Sequence, residues 1–205
     1  MRAKPLILAV LLPLASLAQE AAPPVPQDPR APHFSDVERG FFTGFEFGYL
    51  TFFKTNTADP AKYPFAGKEG GRSDGFLVGT TVGYDLTNRF ALSIFALGGN
   101  SQASLTYGSF GVFALGGDLR FALLGSRDGN GVERFYFYVH GRGGYLVSSP
   151  EGLFGTHDIY LAGGPGIEYF TRLRHFSIGL AADVAYLPTA KTAGAVVTPT
   201  IRYTF

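Results

Sequence analysis

The chain has 205 residues, enough for one ordinary domain, with 17 Lys and Arg against 16 Asp and Glu. A formal charge of +1 offers no basic face to nucleic acid, and the absence of Cys excludes disulfides, a Cys-linked lipid anchor and thiolate metal sites. Charged residues make up only 16%, against ~25% in soluble domains, while 28 Gly, 20 Phe and 11 Tyr set the character of the chain.

The N-terminus reads as an export leader. Arg2 and Lys4 form a charged start, Leu6 to Leu14 an apolar run broken by Pro13, and Ser16-Leu17-Ala18 puts small residues where a signal peptidase reads. Cleavage is predicted after Ala18. The apolar run falls short of the ~20 residues a membrane helix needs. Residues 19–39 follow as a Pro-rich segment, with Pro23, Pro24, Pro26, Pro29 and Pro32. Such a stretch is a stiff extended spacer, suited to a periplasmic lead-in or to docking a cell-wall or periplasmic partner.

From residue 40 to residue 205 no segment is apolar enough for a membrane helix and no helical period appears. Apolar residues instead recur at every second position in segments of about ten, the pattern of lipid-facing barrel strands. Eight segments fit: Phe41 to Phe53, Gly75 to Leu86, Phe90 to Gly98, Gly111 to Leu123, Arg134 to Val147, Ile159 to Tyr169, Phe176 to Tyr186 and Val197 to Phe205. The fold class is all-β, an eight-stranded antiparallel up-and-down transmembrane barrel. Phe95 and Leu97 blur the parity of the third strand. Short turns fall at Thr87-Asn88-Arg89 and Thr171 to His175, and Gly125 to Glu133 is a longer third turn on the same side. Longer connections are expected at Lys54 to Asp74, Gly99 to Phe110, Ser148 to Asp158 and Pro188 to Gly194. An even strand count puts both chain ends on one side, read as the periplasm.

Eight aromatics, one per strand, then fall at the end of the barrel that carries the termini and point outward: Phe41, Tyr84, Phe90, Phe121, Phe135, Tyr169, Phe176 and Tyr203. Aromatic side chains favour the membrane interface, and a soluble β-sandwich would need polar outer faces instead. The opposite parity sends Glu46, Asp85, Asp118, Arg120, Tyr136, Tyr138, His140, Arg142, Glu168, Asp183 and Arg202 into the lumen, together with the glycines of a narrow interior. Buried charges must pair or cost several kcal/mol each. Glu46, Asp118, Glu168 and Asp183 against Arg120, Arg142 and Arg202 therefore predict an interlocked polar plug rather than a conducting bore.

Catalytic chemistry has one weak foothold. His157, Asp158, Ser148 and Ser149 fall in one hairpin, and a hydrolase needs a nucleophile, a base and an orienting acid. The same residues suit any polar loop. No cofactor motif or metal-ligand spacing appears, and Gly163-Gly164-Pro165-Gly166 reads as a close-packed or kinked strand segment rather than a phosphate loop. The reading is of a non-enzymatic protein. A lipid-modifying barrel enzyme and a narrow channel are the competing classes.

The last nine residues, alternating through Ile201 and Tyr203 to Phe205, resemble the β-signal that the outer-membrane barrel assembly machinery recognises. Gly83 to Leu92 resembles the inner hairpins of the small eight-stranded outer-membrane barrels, the OmpA transmembrane domain and OmpX type. That resemblance implies a bacterial outer-membrane address and partners no more specific than outer-membrane lipid and the assembly machinery. Phe42-Thr43-Gly44-Phe45-Glu46-Phe47-Gly48 and Gly116-Gly117-Asp118-Leu119-Arg120 resemble the CglE type of adventurous gliding motility protein of myxobacteria. This second resemblance implies a structural role in surface gliding, with motility-apparatus proteins as partners through the Pro-rich segment, and transfers no catalytic residue.

Overall fold

The computed structural model describes residues 37–53, 73–104, 108–149, 157–173 and 175–205. The expected leader with Ala18, the Pro-rich stretch as far as residue 36, and most of the first long connection lie outside the described residues. Eight strands follow in chain order: β1 (Phe41–Phe52), β2 (Ser73–Asp85), β3 (Phe90–Ser104), β4 (Gly108–Arg127), β5 (Glu133–Ser149), β6 (His157–Phe170), β7 (Phe176–Leu187) and β8 (Thr192–Thr204). Each pairs antiparallel with its chain neighbours, and β8 returns to β1. The seam runs from Phe42 opposite Thr204 to Phe52 opposite Gly194, and the Phe205 amide donates to the Phe41 carbonyl at 2.9 Å. Closure leaves no sheet edge in the wall, where each unpaired backbone group facing lipid would cost several kcal/mol.

Burial alternates along every wall strand, and its sense is the reverse of a soluble barrel. Phe45, Phe76, Ile94, Leu115 and Val184 stand exposed on the outside, while Glu46, Asp118, Arg142, Glu168 and Arg202 are buried inside. An apolar exterior of this extent in water would be an aggregation surface. Against hydrocarbon it is the matching surface, so the wall is a membrane-spanning one. The few hydroxyls on the outer face are satisfied locally: Thr43 donates to the Thr81 carbonyl (3.2 Å) and Thr80 to the Gly44 carbonyl (3.0 Å).

The eight interface aromatics all sit at the rim carrying the termini, here called the terminal rim. Six are exposed there, and Phe90 and Tyr203 are half-buried. At the seam they interlock, with Phe41 and Tyr203 both against Phe205, at centroid distances of 5.3 and 5.0 Å.

Three departures from the sequence reading have physical causes. First, Phe95 and Leu97 point inward and are buried. The register of β3 is regular from Phe90 to Gln102. What fails there is the hydropathy alternation, because the lumen at that level is apolar. Second, β3 and β4 run on through most of Gly99 to Phe110, which is strand and not loop. Third, β4 continues past Leu123 to Arg127, and a bulge between Ala122 and Leu124 turns two successive leucines outward. The glycines also divide differently from expectation. Many line the lumen, but Gly117, Gly141 and Gly143 lie on the outer face.

The β4–β5 turn is built on Asp128, whose carboxylate accepts the amides of Asn130 (2.9 Å) and Val132 (3.1 Å), and on Gly131 at φ +80°. At the opposite rim Asp158 caps the β7–β8 turn by accepting the amides of Thr189 (3.0 Å) and Ala190 (2.8 Å).

Candidate functional site

Among the described residues, buried charge gathers in the lumen. All seven residues of the expected plug line it, on β1, β4, β5, β6, β7 and β8. They divide into two ion-pair groups stacked along the barrel axis. In the group nearer mid-barrel, Arg142 makes a two-pronged bond to Glu46 (2.7 and 2.8 Å) and donates through Nε to Asp118 (3.0 Å). His140 continues the chain, with Nδ1 3.3 Å from Asp118 and Nε2 2.6 Å from Asp183. Each ring nitrogen thus faces a carboxylate. An imidazolium donates to both at once, a neutral ring to one only.

Nearer the terminal rim, Arg120 bonds Glu168 at 2.6 Å and lies 3.5 Å from Asp85. Arg202 bonds Asp85 and lies 3.5 Å from Glu168, which also accepts the Ser177 hydroxyl at 2.7 Å. The Arg202 guanidinium sits 3.8 Å above the Phe42 ring, a buried cation–π contact worth about 2 kcal/mol. Two acids and two arginines balance in this group. Three acids face one arginine and one histidine in the other.

Sequence parity placed Asp85 and His140 in the lumen, but the ion-pair tally of four acids and three arginines omitted both. Charge arithmetic is a signal for His140, since four acids outnumber three arginines and it is the only further basic group in the middle of the lumen among the described residues. It is no signal for Asp85, a further acid, which bonds Arg202 in the group nearer the terminal rim.

Above the charges the lumen turns apolar. Leu50, Phe52, Leu77, Phe95, Leu97, Leu146, Tyr160, Leu187 and Val196 form one buried apolar cluster across the barrel toward the rim away from the termini, around a cavity of about 30 Å³. Phe95 is only 1% exposed, with Tyr160 edge-on at 6.1 Å and the Arg142 guanidinium 5.5 Å from its ring on the charged side. The sequence reading of a polar lumen is thereby corrected to a charged lower half and an apolar band above it, with Ser73, Ser101, Ser148, Asp158 and Thr192 buried beyond that band at the far rim. At the terminal mouth, Arg39 donates to the Tyr136 hydroxyl at 2.6 Å over the Tyr136 and Phe170 rings, and Val37 packs beside them. Between mouth and seal lies a cavity of about 50 Å³ among Glu46, Ser93, Arg120, Arg142 and Arg202, room for ordered water and no larger solute.

The sequence-level triad does not assemble. His157 and Asp158 are successive strand residues and point to opposite faces. His157 is exposed outside and stacked on Tyr145 at 5.5 Å, while Asp158 is buried and occupied with its turn. Ser148 is buried and Ser149 exposed. Gly163 to Gly166 lies inside β6, where a Cβ at Gly166 would come within 2.3 Å of the Tyr138 ring and one at Gly164 within 2.0 Å of the Ala182 carbonyl. The segment is glycine-rich because side chains and neighbouring backbone occupy the space.

No family model and no curated protein matches the chain. Among solved structures it is similar to the Neisserial surface protein A (NspA), with TM-score 0.60 and 13% identity over 81% of this chain and 97% of that one. It also matches the N-terminal β-barrel domain of Pseudomonas aeruginosa OprF, with TM-score 0.46 and 15% identity over 80% and 98%. At 13% identity the likeness to the neisserial protein is one of fold: the chain has the architecture of the small eight-stranded outer-membrane barrels.

Proposed function

We propose that this chain is an integral outer-membrane barrel with a structural role, not a conduit and not an enzyme, and that both termini face the periplasm. The observation that carries this reading is the filled lumen. Paired charges occupy its lower half and a band of apolar side chains lies above them, a layer in which an ion would find no polar partner in place of its water. What supports the non-enzymatic reading is the dispersal of His157, Asp158, Ser148 and Ser149 over two faces. What supports the address is the apolar exterior with its aromatic rim, together with the leader and the C-terminal Ile201, Tyr203 and Phe205 pattern for the assembly machinery. Heat-modifiable gel migration of the membrane fraction tests the barrel; recovery in the soluble periplasm would overturn it. An altered lipid A profile in a deletion strain would overturn the non-enzymatic reading.

Within that structural class we assign a role in adventurous gliding. Its support is the sequence likeness of Phe42–Gly48 and Gly116–Arg120. In the fold Glu46 and Asp118, one from each stretch, meet at Arg142. A deletion strain that glides normally on hard agar would remove this role and leave the barrel untouched.

A further inference from the structure

The turns at the terminal rim share a composition that neither the wall nor the lumen explains. The β2–β3 turn carries exposed Leu86 and exposed Arg89; the β4–β5 hairpin carries Leu123 and Leu124 with Arg127; the β6–β7 turn carries Leu173 with Arg172. These leucines lie just beyond Tyr84, Phe121 and Tyr169 of the aromatic ring and are 42–67% exposed. None joins a buried cluster. The arginines have little else to do. Arg127 is 3.7 Å from a half-exposed Glu133, a contact worth at most about 1 kcal/mol in water, and Arg89 uses one nitrogen on the carbonyls of Ala122 and Leu123 (3.4 and 2.8 Å). The described charges at this rim are Arg39, Arg89, Arg127, Arg134 and Arg172 against Glu38, Asp128 and Glu133, an excess of cations. At the opposite rim they are Asp74, Asp158 and Lys191.

We infer that the terminal rim is a docking surface for anionic phospholipid headgroups. The leucines sit in the interfacial layer below the aromatics, and the arginines reach the phosphates beyond it. Three turns repeat the pair around the rim, so the contact is with a leaflet and not with one ligand. This inference rests on the membrane-spanning reading above. With the termini periplasmic, the leaflet is the inner one of the outer membrane. An arginine near an anionic bilayer surface is worth roughly a fivefold change in association.

The test uses the full chain folded into phosphatidylcholine vesicles and into equimolar phosphatidylcholine–phosphatidylglycerol vesicles. Spin-labelled lipids report which headgroup lingers at the protein. The wild type should retain phosphatidylglycerol over phosphatidylcholine by roughly fivefold. Arg89→Gln/Arg127→Gln/Arg172→Gln should fall to no preference, the triple Lys variant should keep it, and Lys191→Gln at the opposite rim should leave it unchanged. Free inorganic phosphate should not displace the labelled lipid. Equal retention of both lipids by the wild type, or an unchanged preference in the Gln variant, would overturn the inference. Failure of the wild type to insert into either vesicle would instead overturn the membrane reading on which it rests.

Discussion

Arg142 grips Glu46 across the barrel with two parallel bonds of 2.7 and 2.8 Å, and the strands that carry them, β5 and β1, stand four apart in a ring of eight. This is a cross-brace between opposite walls. A pair so buried contributes little net stability as a pair, since desolvation offsets much of its attraction, but breaking it leaves one charge without a partner.

Arg142→Met should therefore cost about 3–5 kcal/mol, because Glu46 and Asp118 both lose their guanidinium. Adding Glu46→Gln to it should return part of that loss. Denaturant midpoints of the heat-modifiable folded band measure both. A double variant no better than the single one would show that Asp118, not Glu46, dominates the cost.

The apolar half of the lumen makes a prediction about conduction. Wild-type protein should show no steady openings in planar bilayers. Phe95→Ser with Leu146→Ser removes two large side chains from the seal and adds hydroxyls that hold water. It should open a leak at a stability cost of about 3–5 kcal/mol per buried side chain lost. Steady openings in the wild type would contradict the closed lumen directly.

The two described histidines on strands should behave oppositely. His140→Leu takes the ring donor from buried Asp183 and leaves Asp118 with Arg142 alone, and should cost about 3–5 kcal/mol. His157→Ala removes an exposed stack on Tyr145 and should stay within about 0.5 kcal/mol. Chemical denaturation of each variant in the same detergent decides it, and equal losses would disprove the assignment of His140 as a tie between carboxylates.

Glycine substitutions offer a steric contrast inside one sheet. Gly166→Ala drives a methyl into the Tyr138 ring and should destabilise by about 1–3 kcal/mol. Gly141→Ala meets nothing within 4 Å, and should be neutral or stabilising by up to about 1 kcal/mol. Thermal midpoints of the two variants test the packing at these positions.

Acid should loosen the β4–β5 turn. Burial tends to raise the Asp128 carboxyl, but the Arg134 side chain and the amides of Val132 and Asn130 bond its ionised form and hold it below the ordinary 3.8. A depressed folded-state value means the stabilisation is present above the ordinary range and is lost as pH falls through the lower folded value. A carbon-13 titration of the Asp128 carboxyl should show its midpoint below 3.8, and Arg134→Gln should raise it. A midpoint unmoved by that substitution would separate the turn from Arg134.

The parts of this protein that were legible in its sequence are those governed by a local rule. Side-chain alternation has period two and needs no knowledge of partners, so strand number, the outward aromatics and the lumenal placement of Glu46, Asp118 and Arg202 follow from a reading along the chain. Where both faces of a strand are apolar, as around Phe95 and Leu97, that rule is silent, and the tertiary structure alone shows that these side chains meet in an apolar band across the lumen. The pairing of charges is likewise non-local. Glu46 and Arg142 are 96 residues apart, and their meeting depends on the stagger of the strands around the closed sheet. Alternation along the chain decided which residues are inside; closure of the barrel decided which of them touch.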